Sequence, residues 1–96
     1  MVELRQTPVF AKWLGGLRDR QARARIQVRM DRLALGLAGD ARPVGSGVSE
    51  LRIDYGPGYR VYFKHQDRDV VILLAGGDKR TQDRDIRRAV AMARDL

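Results

Sequence analysis

Ninety-six residues, 44% of them apolar, are expected to fold as a single domain, 1–96, with room for one core. Cysteine is absent and His65 is the one histidine, which excludes disulfide frameworks and thiolate chemistry and leaves zinc almost without ligands. Nineteen basic against twelve acidic residues give a net charge of +7, and sixteen of the nineteen are arginine, the cation suited to phosphate and to base stacking. GC-rich coding also favours arginine, so the charge by itself says only that a polyanion is tolerated. No run approaches the roughly 18 apolar residues of a membrane span, and Met1–Gln6 has no apolar signal core. A cytoplasmic protein with no metal, cofactor or membrane partner is expected.

Val2–Gln6 alternates and reads as a short edge strand. Thr7-Pro8 supplies an N-cap and a first-turn proline, and Phe10, Trp13, Leu14 and Leu17 form one apolar stripe behind them. Gly15-Gly16 shortens this helix. Asp19 caps a longer one to about Leu37, with Ala22, Ile26, Met30, Leu33 and Leu37 inward and six arginines elsewhere. Gly39–Gly47 reads as a loop. The period then changes from 3.6 to 2: Leu51, Ile53 and Tyr55 alternate with Glu50, Arg52 and Asp54, Gly56-Pro57-Gly58 turns, and Tyr59–Lys64 alternates back. Val70–Leu74 is a continuous apolar run, as in a strand covered on both sides. Gly76–Arg80 is expected to leave the sheet, and a last helix runs from Thr81 or Asp83 to Leu96 with Ile86, Val90 and Ala93 inward. The order β-α-α-β-β-β-α predicts an α+β fold. Its antiparallel sheet should have about four strands, two N-terminal helices on one face and a C-terminal helix.

A hairpin turn centred on Pro57 pairs Asp54 with Arg60, Arg52 with Tyr62 and Glu50 with Lys64 on a charged face. Leu51, Ile53, Tyr55, Tyr59, Val61 and Phe63 are then directed at the helices. Two readings of the charged face stay open. It is either a solvated outer surface, or a site where Arg52, Arg60, Lys64, Lys79 and Arg80 converge on a phosphodiester while Tyr62 meets a base, with Tyr59 beside the glycine turn a further RNA-binding candidate. Cations so placed would stabilise a pentacoordinate phosphorus, and no metal is needed if the RNA 2′-hydroxyl attacks. Histidine is the residue type best suited to proton transfer near neutrality, but His65 lies at a turn, a lysine or a tyrosine is the other candidate, and the proton carrier stays open. Neither glycine pair fits a phosphate loop.

The stretch Glu50-Leu51-Arg52-Ile53-Asp54-Tyr55-Gly56-Pro57-Gly58-Tyr59-Arg60-Val61-Tyr62-Phe63 resembles the signature of the RelE/ParE toxin superfamily. It is nearest the HigB-like branch of addiction-module killer proteins, related to phage Gp49-like proteins. Leu73–Lys79 with Thr81-Gln82 and the following helix resembles that branch's second block. The resemblance spans nearly the whole chain. It implies a RelE-like fold and the toxin of a type II toxin–antitoxin system, a metal-independent endoribonuclease that cuts mRNA on the ribosome by 2′-hydroxyl attack. The implied partner is a cognate antitoxin, usually a helix-turn-helix protein. The family's phosphate-binding arginine falls on Arg60, its neighbouring basic residues on Arg52 and on Lys79 or Arg80. Asp54 stands where some relatives carry a base and is a potential partner for Arg60. Ile86 stands near a functional tyrosine of RelE, a role left vacant or moved to Tyr62. A ParE-like gyrase inhibitor, a non-catalytic nucleic-acid-binding module and a decayed toxin are the alternatives. The alanine-rich side of the last helix, Ala89, Ala91 and Ala93, is the expected antitoxin surface.

Overall fold

The computed structural model describes residues 1–96. The elements are β1 (Glu3–Gln6), α1 (Pro8–Gly16), α2 (Arg20–Ala34), β2 (Ala41–Gly45), β3 (Val48–Ile53), β4 (Tyr59–His65), β5 (Val70–Gly77), a 3-10 turn (Lys79–Thr81) and α3 (Gln82–Arg94). The sheet has five strands in the order β1-β5-β4-β3-β2, one more than the sequence pattern suggests. It is mixed, because β1 runs parallel to β5 while every other pair is antiparallel.

Local chemistry fixes the helices where the sequence places them. The Thr7 hydroxyl accepts from Phe10 N at 3.1 Å, and Pro8 opens the first turn of α1. The Asp19 carboxylate accepts from Gln21 N and Ala22 N at 2.9 and 3.2 Å. Helix α2 ends at Ala34, short of Leu37, because Gly36 adopts a left-handed φ of 82°. Leu37 N then reaches back to Arg32 O and Gly36 N to Leu33 O, a Schellman closure that leaves Leu37 in solvent. The extra strand β2 comes from Ala41–Gly45, read from sequence as loop. At the sheet edge Pro43 lacks only a donor that nothing needs, and a bulge between Pro43 and Gly45 absorbs the mismatch.

Phe10, Ile26, Met30 and Leu33 of the first two helices pack on Leu51, Ile53, Val61, Phe63, Val71 and Leu73, the face the sequence directs toward them. The opposite face is not the solvated surface that the charge pattern suggests. Helix α3 lies over it, and Ala89 and Ala93 close a second core with Val48, Tyr62, Ile72, Leu74 and Ala75. The buried side of α3 is Asp85, Ala89 and Ala93 at four-residue spacing, with Ile86 and Val90 at its margin. Ala89 and Ala93 are thus used inside the fold, and of the three alanines expected to face a partner only Ala91 is exposed. Small side chains let α3 approach closely, and Tyr62 fills the space beneath. Gly76 and Gly77 remain in β5 instead of turning out of it. A Cβ at Gly76 would strike the Trp13 ring and one at Gly77 the Asp85 carboxylate, so both glycines exist for close approach. No helix is long and apolar enough to cross a membrane.

Candidate functional site

The site begins with the hairpin register. Ile53 pairs with Tyr59, Arg52 with Arg60, Leu51 with Val61 and Glu50 with Tyr62, two residues away from pairing about Pro57. The shift arises because Gly56 and Gly58 both take left-handed φ, at 57° and 78°, and Gly58 N donates to Tyr55 O at 3.1 Å. An even shift leaves every side chain on its expected face. Its consequence is chemical: two arginines stand directly opposite one another.

Each arginine has its own counter-charge. Arg52 Nε lies 3.6 Å from Asp40 Oδ2, just before β2. Arg60 is 9% exposed; its Nη1 donates to Gly58 O at 2.9 Å and Tyr59 O at 3.2 Å. Its Nε is 3.8 Å from Glu50 Oε1 and makes no hydrogen bond. Glu50 is fully buried. Its carboxylate accepts from Arg42 Nε at 3.2 Å, Gln82 Nε2 at 2.8 Å and the Tyr62 hydroxyl at 3.3 Å. A buried carboxylate survives only with such donors around it. Asp54, the partner anticipated for Arg60, forms no ion pair, and Glu50 takes that place.

The exit from β5 completes the cluster. Lys79 N reaches Pro57 O at 3.4 Å, and Gly58 lies against both the Arg60 guanidinium and Lys79 Cβ. One cleft of about 480 Å³ is therefore lined by Asp40, Arg52, Asp54, Gly58, Arg60 and Lys79. Arg80 sits beside it on an adjoining cleft that shares Lys79 and continues along Arg84 and Arg87 of α3. Arg80 is highly exposed and bonded to Asp78, at 3.1 Å. That hydrogen bond holds the Asp78 carboxyl below the usual range and raises the guanidinium.

Arg52, Arg60 and Lys79 are thus brought together, with Arg80 alongside. The other anticipated contacts are elsewhere. Tyr62 is wholly buried, with no ring face open to a base. Burial first, and the Glu50 carboxylate second, push its phenol well above the ordinary tyrosine value. Tyr59 is half-buried, edge-on to Trp13 at 6.3 Å between ring centroids. Lys64 lies at the far end of β4, its Nζ 3.5 Å from Ala93 O at the C-terminus of α3. His65 is exposed at that same end, against Phe63 at 6.1 Å and away from the cleft. Asp40 and Arg42 drew no attention in the sequence and Gln82 only as part of the second block of the resemblance, because each serves the site through an element whose placement the pattern does not reveal. Glu50 was legible only as a surface charge. Its signal was the coverage of both sheet faces, which needed α3.

Two guanidinium groups and an ammonium around a glycine-lined cleft can grip one phosphate group and spread charge from it. The residues lining the cleft include Lys79, Asp40 and Asp54 as groups able to carry a proton, beside the bound molecule itself. The pattern described as phage-derived protein Gp49-like matches residues 12–95. A relative from Haemophilus influenzae, itself described as uncharacterized, is 47% identical over 95 residues, covering 99% of this chain and 96% of its own. With the matched span taking in both helical layers, the hairpin and the β5 exit, the chain belongs to the phage-derived Gp49-like protein family.

Proposed function

We propose that this protein is the toxin of a type II toxin–antitoxin pair and cuts mRNA held on the ribosome. The observation that carries the reading is the convergence of Arg52, Arg60 and Lys79 on one cleft beside the hairpin turn. The Gp49-like family falls in the addiction-module killer, RelE-like group, which favours the same reading. In this mechanism the RNA supplies its own nucleophile. The 2′-hydroxyl gives up its proton and attacks the adjacent phosphorus, the bond to the 5′-oxygen breaks, a 2′,3′-cyclic phosphate forms, and the leaving 5′-oxygen takes up a proton to become a hydroxyl. Arg60 and Arg52 bind the non-bridging oxygens, and Lys79 meets the phosphate from the side of the β5 exit. Cations placed in advance where charge develops lower the barrier most. Helix α3 and the 3-10 turn, with Arg80, Arg84 and Arg87, would track the strand beyond the cut. The neutralising partner is an antitoxin encoded with the toxin.

The test is 5′-end mapping of cellular transcripts shortly after induction, beside an Arg60→Ala form. That variant is expected to fold, since Glu50 keeps Arg42, Tyr62 and Gln82 as donors. New in-frame ends within coding regions, absent with Arg60→Ala, are the expected result. Unchanged transcripts with arrested growth and damaged DNA would overturn it in favour of gyrase inhibition. A fully toxic Arg60→Ala would remove this cleft from the mechanism.

A further inference from the structure

We propose that Glu50 is the positioning residue for Arg60: it sets which edge of the guanidinium meets the cleft and closes onto Nε when the cleft is loaded. The inference rests on the reading of Arg60 as a phosphate-binding group. Glu50 is wholly buried, yet its place does not depend on Arg60. Arg42 of β2, Tyr62 of β4 and Gln82 of α3 hold it from three directions. A carboxylate fixed by three elements is a rigid reference point, the kind of support a reactive group needs.

Arg60 stands between two such references. At one end Nη1 is tied to the carbonyls of Gly58 and Tyr59, which the hairpin turn holds. Along the other edge Nε faces Glu50 Oε1 across 3.8 Å, with no hydrogen bond made by this buried nitrogen. An ion pair built only for stability would be closed, because an unpaired buried N–H is costly. Here the gap is about 1 Å longer than a charge-assisted bond. A small swing of the guanidinium toward a phosphate could close it. The bond would then be stronger with the cleft loaded than empty, and an interaction of that kind favours the transition state over the resting protein. Arg42, half exposed and on the same oxygen, keeps Oε1 oriented meanwhile.

Glu50→Gln keeps the shape and removes the charge. In protein with 15N-labelled arginine, the Arg60 Nε–Hε resonance is identified by its loss in Arg60→Lys. Glu50→Gln is expected to shift and broaden that resonance, with the Arg42 Nε signal moving beside it because Arg42 bonds the same oxygen, while the remaining arginine signals stay. Single-turnover cleavage of ribosome-bound mRNA should slow on the order of 10- to 100-fold, with ribosome affinity little changed. A merely structural role would lower the melting temperature without singling out Arg60. An unmoved Arg60 resonance overturns the proposal, and so does an unchanged rate where the wild type is active. If the wild type cuts no RNA, the functional reading fails and the resonance alone decides the coupling of Glu50 to Arg60. Should Glu50→Gln not fold, Gln82→Met removes the shortest tie to the carboxylate and leaves its charge. A shifted Arg60 signal and several-fold slower cleavage support the proposal, and no change in either refutes it.

Discussion

Gly76→Ala tests whether close packing of α1 on β5 holds this fold. A methyl group there would lie 2.1, 2.3 and 2.4 Å from Cε3, Cζ3 and Cδ2 of Trp13. Carbon atoms in contact sit about 3.5–4.0 Å apart, so the indole must retreat by more than about 1 Å. Phe10 at 5.7 Å and Tyr59 at 6.3 Å between ring centroids flank it, so it can move only toward the cleft that it lines with Gly76, giving up part of that packing. The strand is no freer, since Gly76 is paired with Val61 of β4. Overpacking costs about 1–3 kcal/mol, and an overlap with three atoms of a rigid ring belongs near 3. For a domain of this size each kcal/mol moves Tm by about 4–8 °C, so a fall of about 12–24 °C is expected in a calorimetric or circular-dichroism melt. Gly15→Ala is the control: nothing lies within 4 Å of that helical position. Alanine there should hold or raise Tm, since it gains about 0.5–1 kcal/mol over glycine in a helix. A Gly76→Ala protein melting within about 2 °C of wild type would refute the packing argument.

Leu51→Asp or Phe63→Asp sets an unpaired carboxylate in the larger core, a cost of several kcal/mol against a total of about 5–15. Both should lose the folded far-ultraviolet spectrum, and a native melt in either would mean the sheet faces are misassigned. Above about pH 10 the unfolded chain ionises Tyr62 while the folded protein keeps it protonated, so stability falls as pH rises through that range. Tyr62→Phe should flatten this alkaline decline in urea titrations, while losing about 1 kcal/mol at pH 7 with its bond to Glu50; equal slopes would contradict the burial argument. Arg52→Thr should unfold no more easily than wild type, because it relieves like charges worth about 0.2–1 kcal/mol, yet mRNA cleavage should be lost. A clear loss of stability would show that Arg52 is held for the fold.

Much of the fold was legible because local chemistry and burial pattern agree. Thr7-Pro8 and Asp19 cap the helices they announce, and Leu51, Ile53, Val61 and Phe63 face the first core. What was not legible depended on neighbours distant in sequence. Ala41–Gly45 carries strand-breaking residues that only an edge position tolerates, so β2 looked like loop and its Arg42 like an ordinary surface charge. Glycines that end helices or turn hairpins cannot be told by composition from Gly76 and Gly77, which stay in a strand because Trp13 and Asp85 press on them. Tyr62 alternates as a surface residue would, and only the docking of α3 shows that its face is interior. Arg60 and Arg52 could be named from the motif, and their counter-charges could not.

The two-residue shift in register is more than a correction of detail. Pairing about Pro57 would set Asp54 against Arg60, an arrangement favouring stability. The fold instead sets Arg52 against Arg60 and brings in Asp40 from beside one and Glu50 from beneath the other. Like charges opposed across a strand pair are destabilising, and burying a carboxylate to offset one of them adds its own desolvation. Opposed like charges and a buried carboxylate coincide at this place, where Lys79 also arrives from the turn after β5. Such conflicts mark sites where geometry serves something other than stability. The ligand that would relieve the conflict is an anion seated in the cleft that both arginines line, and an extended polyanion also reaches Arg80 and the exposed arginines of α3. The physical argument for a phosphodiester therefore does not rest on the net charge, which many proteins share. It rests on two arginines paired across one strand ladder and lining one cleft with Lys79.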